Sequence, residues 1–198
     1  LEGSVADTVD LTLAGQLKDL GQLHDEASGG ARLEAKVSGD RSAPLLNLTA
    51  RGDGITLVGA ALNEAELKAN LKLSETDPSG QLNFAAKLQD QPVTARALVS
   101  TTAEGTRELT ELSVVAGSAR LDGTYRMPIA GAPSGAFKLI APDLSDVGPL
   151  LLMQLRGSLN ADMELAGAAD RSELKAVFNG EDIASDGFAA RRVTGSTQ

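Results

Sequence analysis

Three neighbouring side chains, His24, Asp25 and Glu26, carry the atoms that a metal ion or a proton relay would use. Consecutive residues in regular structure point different ways, and no second histidine is available to complete a zinc-type ligand set. A solvated loop is the simpler expectation. Serine and threonine are plentiful, but any Ser-His-Asp arrangement has to use His24, which stands in a polar stretch without a nucleophile-elbow pattern. Cysteine is absent, so thiol nucleophiles, disulfides and thiolate-bound metals are excluded. "GDG" at 52–54 and its counterpart "GED" at 180–182 read as turn geometry rather than ion ligands. "NLT" at 47–49 has the form of a glycosylation acceptor but falls inside a strand pattern. Arg191 and Arg192 either approach an anionic headgroup or flank a strand, and the second reading is preferred. No catalytic residue, metal site or cofactor is expected, and the chain reads as a non-enzyme.

Stepping outward from these residues, almost every segment alternates apolar and polar side chains with the period of a half-buried strand. The alternating apolar set is Leu11 and Leu13; Leu33 and Val37; Leu46 and Leu48; Ile55 and Leu57; Leu67, Leu71 and Leu73; Leu82, Phe84 and Leu88; Val93 and Val99. It continues through Leu112 and Val114; Leu121 and Tyr125; Phe137 and Leu139; Leu159, Met163 and Leu165; and Leu174 and Phe178. Turn formers between them ("SGGA", "SGDRSAP", "RGDG", "TDPSG", "QDQP", "AGAPSG" and "NGED") are expected to break the strands. "NEAELKANLKL" contains good helix formers, yet its leucines share one strand face and it is read as a strand. "DLSDVGPLLLMQL" is the best helical segment, a short turn near 143–151 capped by Asp143 or Ser145 and limited by Pro149.

The chain also repeats itself. "LTLAGQLKDLGQL" at 11–23 is echoed by "FKLIAPDLSDVGPLL" at 137–151, "GGARLEAKVSG" by "RGSLNADMELAG", and "APLLNLTARGDGI" by "RSELKAVFNGEDI", with a period of about 128 residues. The expected organisation is one continuous β unit over 1–198, with repeat units at about 9–63 and 137–191 and connecting strands at 64–127. The helical segment is expected to be a joint that resets strand register, with Leu150 to Leu152 plugging or lining it. The abrupt start at Leu1 and the stop at Gln198 in mid-pattern suggest a piece of something longer.

These phrases, in this order and used twice, resemble the C-terminal half of the TamB family, translocation and assembly proteins of the AsmA-like group. The resemblance is carried by both ends of the chain, and by the middle only in character. It implies an all-β fold, an elongated curled antiparallel or mixed sheet forming a taco-like hydrophobic groove, lined by the alternating apolar residues named above. It further implies periplasmic location in a diderm bacterium, with an anchor in the inner membrane and a TamA-like outer-membrane assembly-insertase barrel as partner. Family function has been framed as phospholipid transport between membranes or as assembly of outer-membrane proteins.

Composition agrees with parts of this picture. A formal net charge of -9 argues against nucleic acid or an anionic surface as partner. With 3% aromatic but 42% hydrophobic residues, the apolar surface is aliphatic. No run approaches the roughly 20 apolar residues of a membrane-spanning helix. On alternation alone an ordinary β-sandwich is the commoner way to cover such faces. The resemblance and the long period favour an open groove, in which phospholipid acyl chains are the expected occupant.

Overall fold

The computed structural model describes residues 2–5, 7–22, 27–57, 60–88, 90–151, 153–168 and 171–197. The fold is all-β. Strands run from β1 (Glu2–Val5) and β2 (Thr8–Leu17) through β3 (Ala27–Asp40), β4 (Leu45–Leu57), β5 (Ala60–Lys72), β6 (Ser79–Leu88) and β7 (Gln91–Thr101). They continue as β8 (Arg107–Ala116), β9 (Ala119–Met127), β10 (Ser134–Ala141), β11 (Arg156–Ala168), β12 (Arg171–Ser185) and β13 (Phe188–Thr197). All of them form a single curved sheet in which each strand pairs with its sequence neighbours, in the order β1 to β13. Every described pairing is antiparallel, so the mixed alternative is set aside, as is a sandwich, since the described residues form no second sheet.

An open sheet leaves much surface in water. The chain exposes 12425 Å², against about 8,800 Å² for a compact monomer of this mass. Its fully buried side chains are mostly small, including Ala69, Ala86, Ala97, Ala116, Ala119 and Ala141. Cohesion therefore rests on the continuous ladder of backbone hydrogen bonds and on cross-strand side-chain contacts rather than on a thick core.

Three of the expected turns are not turns. "SGGA" lies within β3, "RGDG" within β4 and "NGED" within β12. Each instead marks a bulge, where one strand carries an extra residue and twists more sharply. The register slips between Ser28 and Gly30 opposite β4, and between Arg156 and Ser158 opposite β12. Further slips fall at Asn63/Glu66 and, on the two sides of one bulge in β8, at Leu109/Leu112 and Arg96/Leu98. The residue absorbing the extra length has positive φ in every case: Gly54 (63°), Glu64 (51°), Glu111 (49°) and Asp182 (49°). In each, it is the third residue of a four-residue interval whose first and last members face the same side: Gly52–Ile55, Leu62–Ala65, Leu109–Leu112 and Gly180–Ile183. The bulge thus lets the apolar face resume in phase.

The helical segment forms two short 3-10 turns, Leu144–Asp146 and Gly148–Leu151, and a third turn occupies Leu20–Gln22. Of the two expected caps, Asp143 is the one used: its carboxylate accepts from the Ser145 amide at 2.9 Å. "NEAELKANLKL" lies almost wholly in β5, with only Leu73 beyond its end, as the alternation requires.

Candidate apolar binding face

Strand register decides which side chains share a face, because directly paired residues point the same way. Beginning at Gly15, successive partners are Leu33, Ala50, Leu67, Phe84, Ala95, Val114, Leu121, Leu139, Ala161, Phe178 and Gly195. This apolar row crosses from β2 to β13 without a polar side chain. Four positions along each repeat strand, a second row joins Leu11, Val37, Leu46, Leu71, Gly80, Val99, Leu109, Tyr125, Gly135, Leu165 and Leu174.

Between them lie Leu13, Leu48 and Leu82 on one side of the β8 bulge, and Leu112, Phe137 and Met163 on the other. Toward the opposite strand ends stand Ile55 with Leu62 and Leu88, then Val93 and Leu159. Leu57 is placed by its backbone pairing with Ala60, and Leu73 lies just beyond β5, 41% exposed. Leu57 and Leu73 apart, the residues expected from alternation are thus brought together on one face. Leu62 and Leu109 belong to it as well and escape simple alternation, because the bulges at Glu64 and Glu111 shift the count by one.

Large side chains lie low on this face where a neighbouring strand has glycine. A methyl group on Gly195 would come within 2.6 Å of the Phe178 ring, and one on Gly123 within 2.5 Å of Phe137. The rings are therefore folded across glycine backbone instead of standing upright.

Coverage of the face is uneven. Leu13, Leu67 and Leu174 remain 41%, 37% and 49% exposed, whereas one end of the middle strands is covered by Leu144 and Val147 of the connection after β10. Leu144 packs with Ala119 and Ala141, and Val147 contacts both this cluster and the one formed by Leu88, Val93 and Ala116. Leu144 and Val147, following the Asp143 cap, pack on the sheet, and of the three residues expected to plug or line the joint, Leu150 to Leu152, only the side chain of Leu151 is described. Leu151 is exposed, and Leu152 lies outside the described residues. A polar contact pins the segment: the Ser118 amide donates to Asp146 Oδ2 at 2.6 Å. Those Ser118 hydrogen bonds hold the Asp146 carboxyl below its ordinary value.

The opposite face is charged and paired. Arg51 meets Glu66 at 2.7 Å, Arg126 meets Glu108 at 2.7 Å, and Lys87 meets Glu64 at 2.6 Å. Lys68, and then Arg51, lower the Glu66 carboxyl below its usual range, and Arg120 does the same for Asp122. Such exposed pairs add little stability individually, but they keep this face wet and neutral. Arg191 and Arg192 lie within β13 rather than beside a strand, and Arg192 approaches Glu181 of the paired strand at 3.7 Å. A depression of about 790 Å³ lies over this charged side, bordered by Arg96, Ser113, Asp122, Lys138 and Asp162. A twisted sheet is saddle-shaped, so the polar side also acquires concavity, here beside the Glu111 bulge.

Net negative charge concentrates where strands turn. Asp7, Asp19, Glu75, Asp77, Asp90, Glu104, Asp143, Asp146 and Asp186 stand in described connections, against Lys18 and Arg41, while acids and bases on the strands nearly balance. His24, Asp25 and Glu26 lie outside the described residues. Among the described residues no cluster of three His, Cys, Asp or Glu side chains is placed to hold a metal ion, and no helix is long and apolar enough to cross a membrane. "NLT" sits within β4 and "GDG" at its bulge. No family model, curated protein or solved structure matches this chain.

Proposed function

We propose that this chain is a non-enzymatic, periplasmic module of a TamB-like protein anchored in the inner membrane of a diderm bacterium. Its apolar sheet face shields phospholipid acyl chains as they pass toward the outer membrane. The observation that carries the reading is the row from Leu33 to Phe178, which offers an apolar side chain on each successive strand, with Leu67 exposed, Ala161 buried and the other members half-buried. Aliphatic groups removed from water gain roughly 0.8 kcal/mol per methylene, so about 14 methylenes gain on the order of 10 kcal/mol at most. Lipid leaving a bilayer surrenders an equivalent environment. The face therefore lowers the aqueous barrier to transfer rather than trapping its cargo, and a wall of Leu, Val and Ala without deep pockets suits sliding.

In this reading the headgroup stays at the wet strand ends while the tails lie across the face. Leu71→Asp, Leu82→Asp and Met163→Arg each place a charge in the path without altering the backbone ladder. Each is expected to abolish lipid transfer with β content intact; undiminished transfer by such folded variants contradicts the proposal. Native mass spectrometry with lipid extraction identifies what the intact chain carries.

A second reading is favoured by one observation: β1 and β13 are each paired on one side only within this sheet. An unpaired strand edge accepts an extended segment by β-augmentation, as a scaffold for outer-membrane protein assembly with a TamA-like barrel would do. Crosslinks to lipid from Phe84 favour the shielding role, whereas crosslinks confined to β13 and a client polypeptide favour the scaffold.

A further inference from the structure

We propose that the free edge of β13 docks an acidic extended segment of another polypeptide, which adds as an antiparallel neighbour with a carboxylate against Arg191 and Arg192. The inference rests on the scaffold reading above and gives its partner a chemical class. Each strand from β2 to β12 has a neighbour on both sides, whereas β13 and the four-residue β1 have one each. At ten residues, β13 presents the longer unpaired row of backbone donors and acceptors.

The internal repeat shows what such an edge accepts. β12 and β13 pair as β4 and β5 do, position for position: Gly52 with Ala65 recurs as Gly180 with Val193, Ile55 with Leu62 as Ile183 with Ala190, and Leu57 with Ala60 as Ser185 with Phe188. β13 therefore stands where β5 stands, and the outer edge of β5 is filled by β6. There Leu82, Phe84 and Leu88 pair with Ala69, Leu67 and Leu62 and extend the apolar face, while Lys87 pairs with Asn63 and its ammonium meets Glu64 at 2.6 Å. On β13 the corresponding apolar positions are Thr197, Gly195 and Ala190, all small, so the large apolar side chains come from the added strand. The positions of Asn63 and Glu64 become Arg191 and Arg192, and the charge is reversed.

β13 thus carries two cations and no acid in a chain of formal net charge -9. Arg192 reaches Glu181 only at 3.7 Å, with its side chain 74% exposed, and Arg191 is exposed and makes no ion pair among the described residues. A strand with lysine at the place of Lys87 meets two like charges there; one with Asp or Glu completes the ladder with a charge-assisted contact. A second copy of this chain fits poorly. Antiparallel pairing of β13 with itself brings both arginine pairs to the centre of the junction, and β1 offers only four residues.

Two fluorescein-labelled peptides separate charge selection from edge pairing: SGQLNFAAKL, the β6 sequence itself, and its Lys87→Glu form. Net charge alone favours the lysine peptide, because the chain is acidic. Pairing at the edge predicts the opposite order. The glutamate peptide is expected to bind the full chain about fivefold more tightly by fluorescence anisotropy at low salt, to lose that advantage as salt rises, and to protect β13 amides from hydrogen exchange. Arg191→Glu combined with Arg192→Glu is expected to reverse the order of the two peptides, with hydrogen exchange verifying that β12 and β13 stay paired. Equal binding of the two peptides, or an order unchanged in the double variant, overturns the acidic selectivity and leaves edge pairing standing. No binding by either peptide, or binding that leaves β13 unprotected, overturns both. Protection of β13 that rises with protein concentration in the absence of peptide assigns the edge to a second copy and overturns the proposal.

Discussion

The strands β2–β5 and β10–β13 build the same local geometry from different residues, and then diverge at their joints. In the first set Gly29 has φ of 93° opposite the bulge at Gly54; in the second Gly157 has φ of 97° opposite Asp182. Each pair recurs after about 128 positions, as do Gly52 with Ile55 and Gly180 with Ile183. A methyl group on Gly52 would meet Ile55 Cδ1 at 2.4 Å, and one on Gly180 would meet Ile183 Cδ1 at 2.3 Å. The joints are not alike: the described part of the first is one turn at Leu20–Gln22, with no buried residue, while the second reaches across the sheet and buries Leu144. A bulge is thus held by a few backbone-level requirements, whereas a joint is free to acquire a separate task.

The largest effect should come from the shared geometry. A side chain at position 29 or 157 would bring Cβ to 2.7 Å or 2.5 Å from a facing carbonyl oxygen while forcing a positive φ. Gly29→Ala and Gly157→Ala are each expected to cost about 3 kcal/mol of local stability, measured by hydrogen exchange of the paired strands. Unequal costs would break the equivalence of the two sets. Next come the joints. Leu144→Ala should cost about 2 kcal/mol in protection of the surrounding strand ends, and Leu20→Ala less than about 1 kcal/mol, because only the former leaves a cavity. Similar values for both would erase the distinction.

Smaller still is the exchange of bulge residues. Asp182→Gly should stabilise its bulge by about 0.5 kcal/mol and Gly54→Asp weaken its own by a similar amount, since glycine occupies positive φ without a Cβ penalty. Urea unfolding of the two variants checks the opposite signs.

The finest difference is one of pH. Asp146 has a folded pKa below its model-compound value of 3.8, so its clamp contributes fully above that value and is lost as pH falls through the lower folded one. Protection of the Ser118 amide should fall over that interval, and Asp146→Asn should remove the pH dependence. An unchanged profile in the variant would assign the effect elsewhere.

Much of the face was legible because one-sided burial imposes a period of two, and a long meander keeps neighbouring strands in sequence order. Leu33, Leu48, Leu82 and Leu139 could be assigned from alternation alone. The bulges were harder. One added residue in "RGDG" or "NGED" has the composition of a turn, and only the register shows the strand continuing through it. A signal was present nonetheless: same-face residues separated by three positions, with Gly, Glu or Asp third, as in Leu109-Thr110-Glu111-Leu112. The seat of the second joint carried no such signal. That Leu144 and Val147 reach the sheet, and Leu151 does not, depends on where the Asp143 cap directs the chain after β10, which is a tertiary outcome.

The most direct test of the shielding role is photocrosslinking to phospholipid along one row. A benzophenone amino acid is placed singly at Phe84, Leu121 and Phe178, and at their charged-face neighbours Asn83, Asp122 and Asn179, in the full chain exposed to lipid vesicles. Lipid adducts at the first three positions and none at the second three is the predicted result. Equal labelling of both faces, or no adduct at any position, would contradict it.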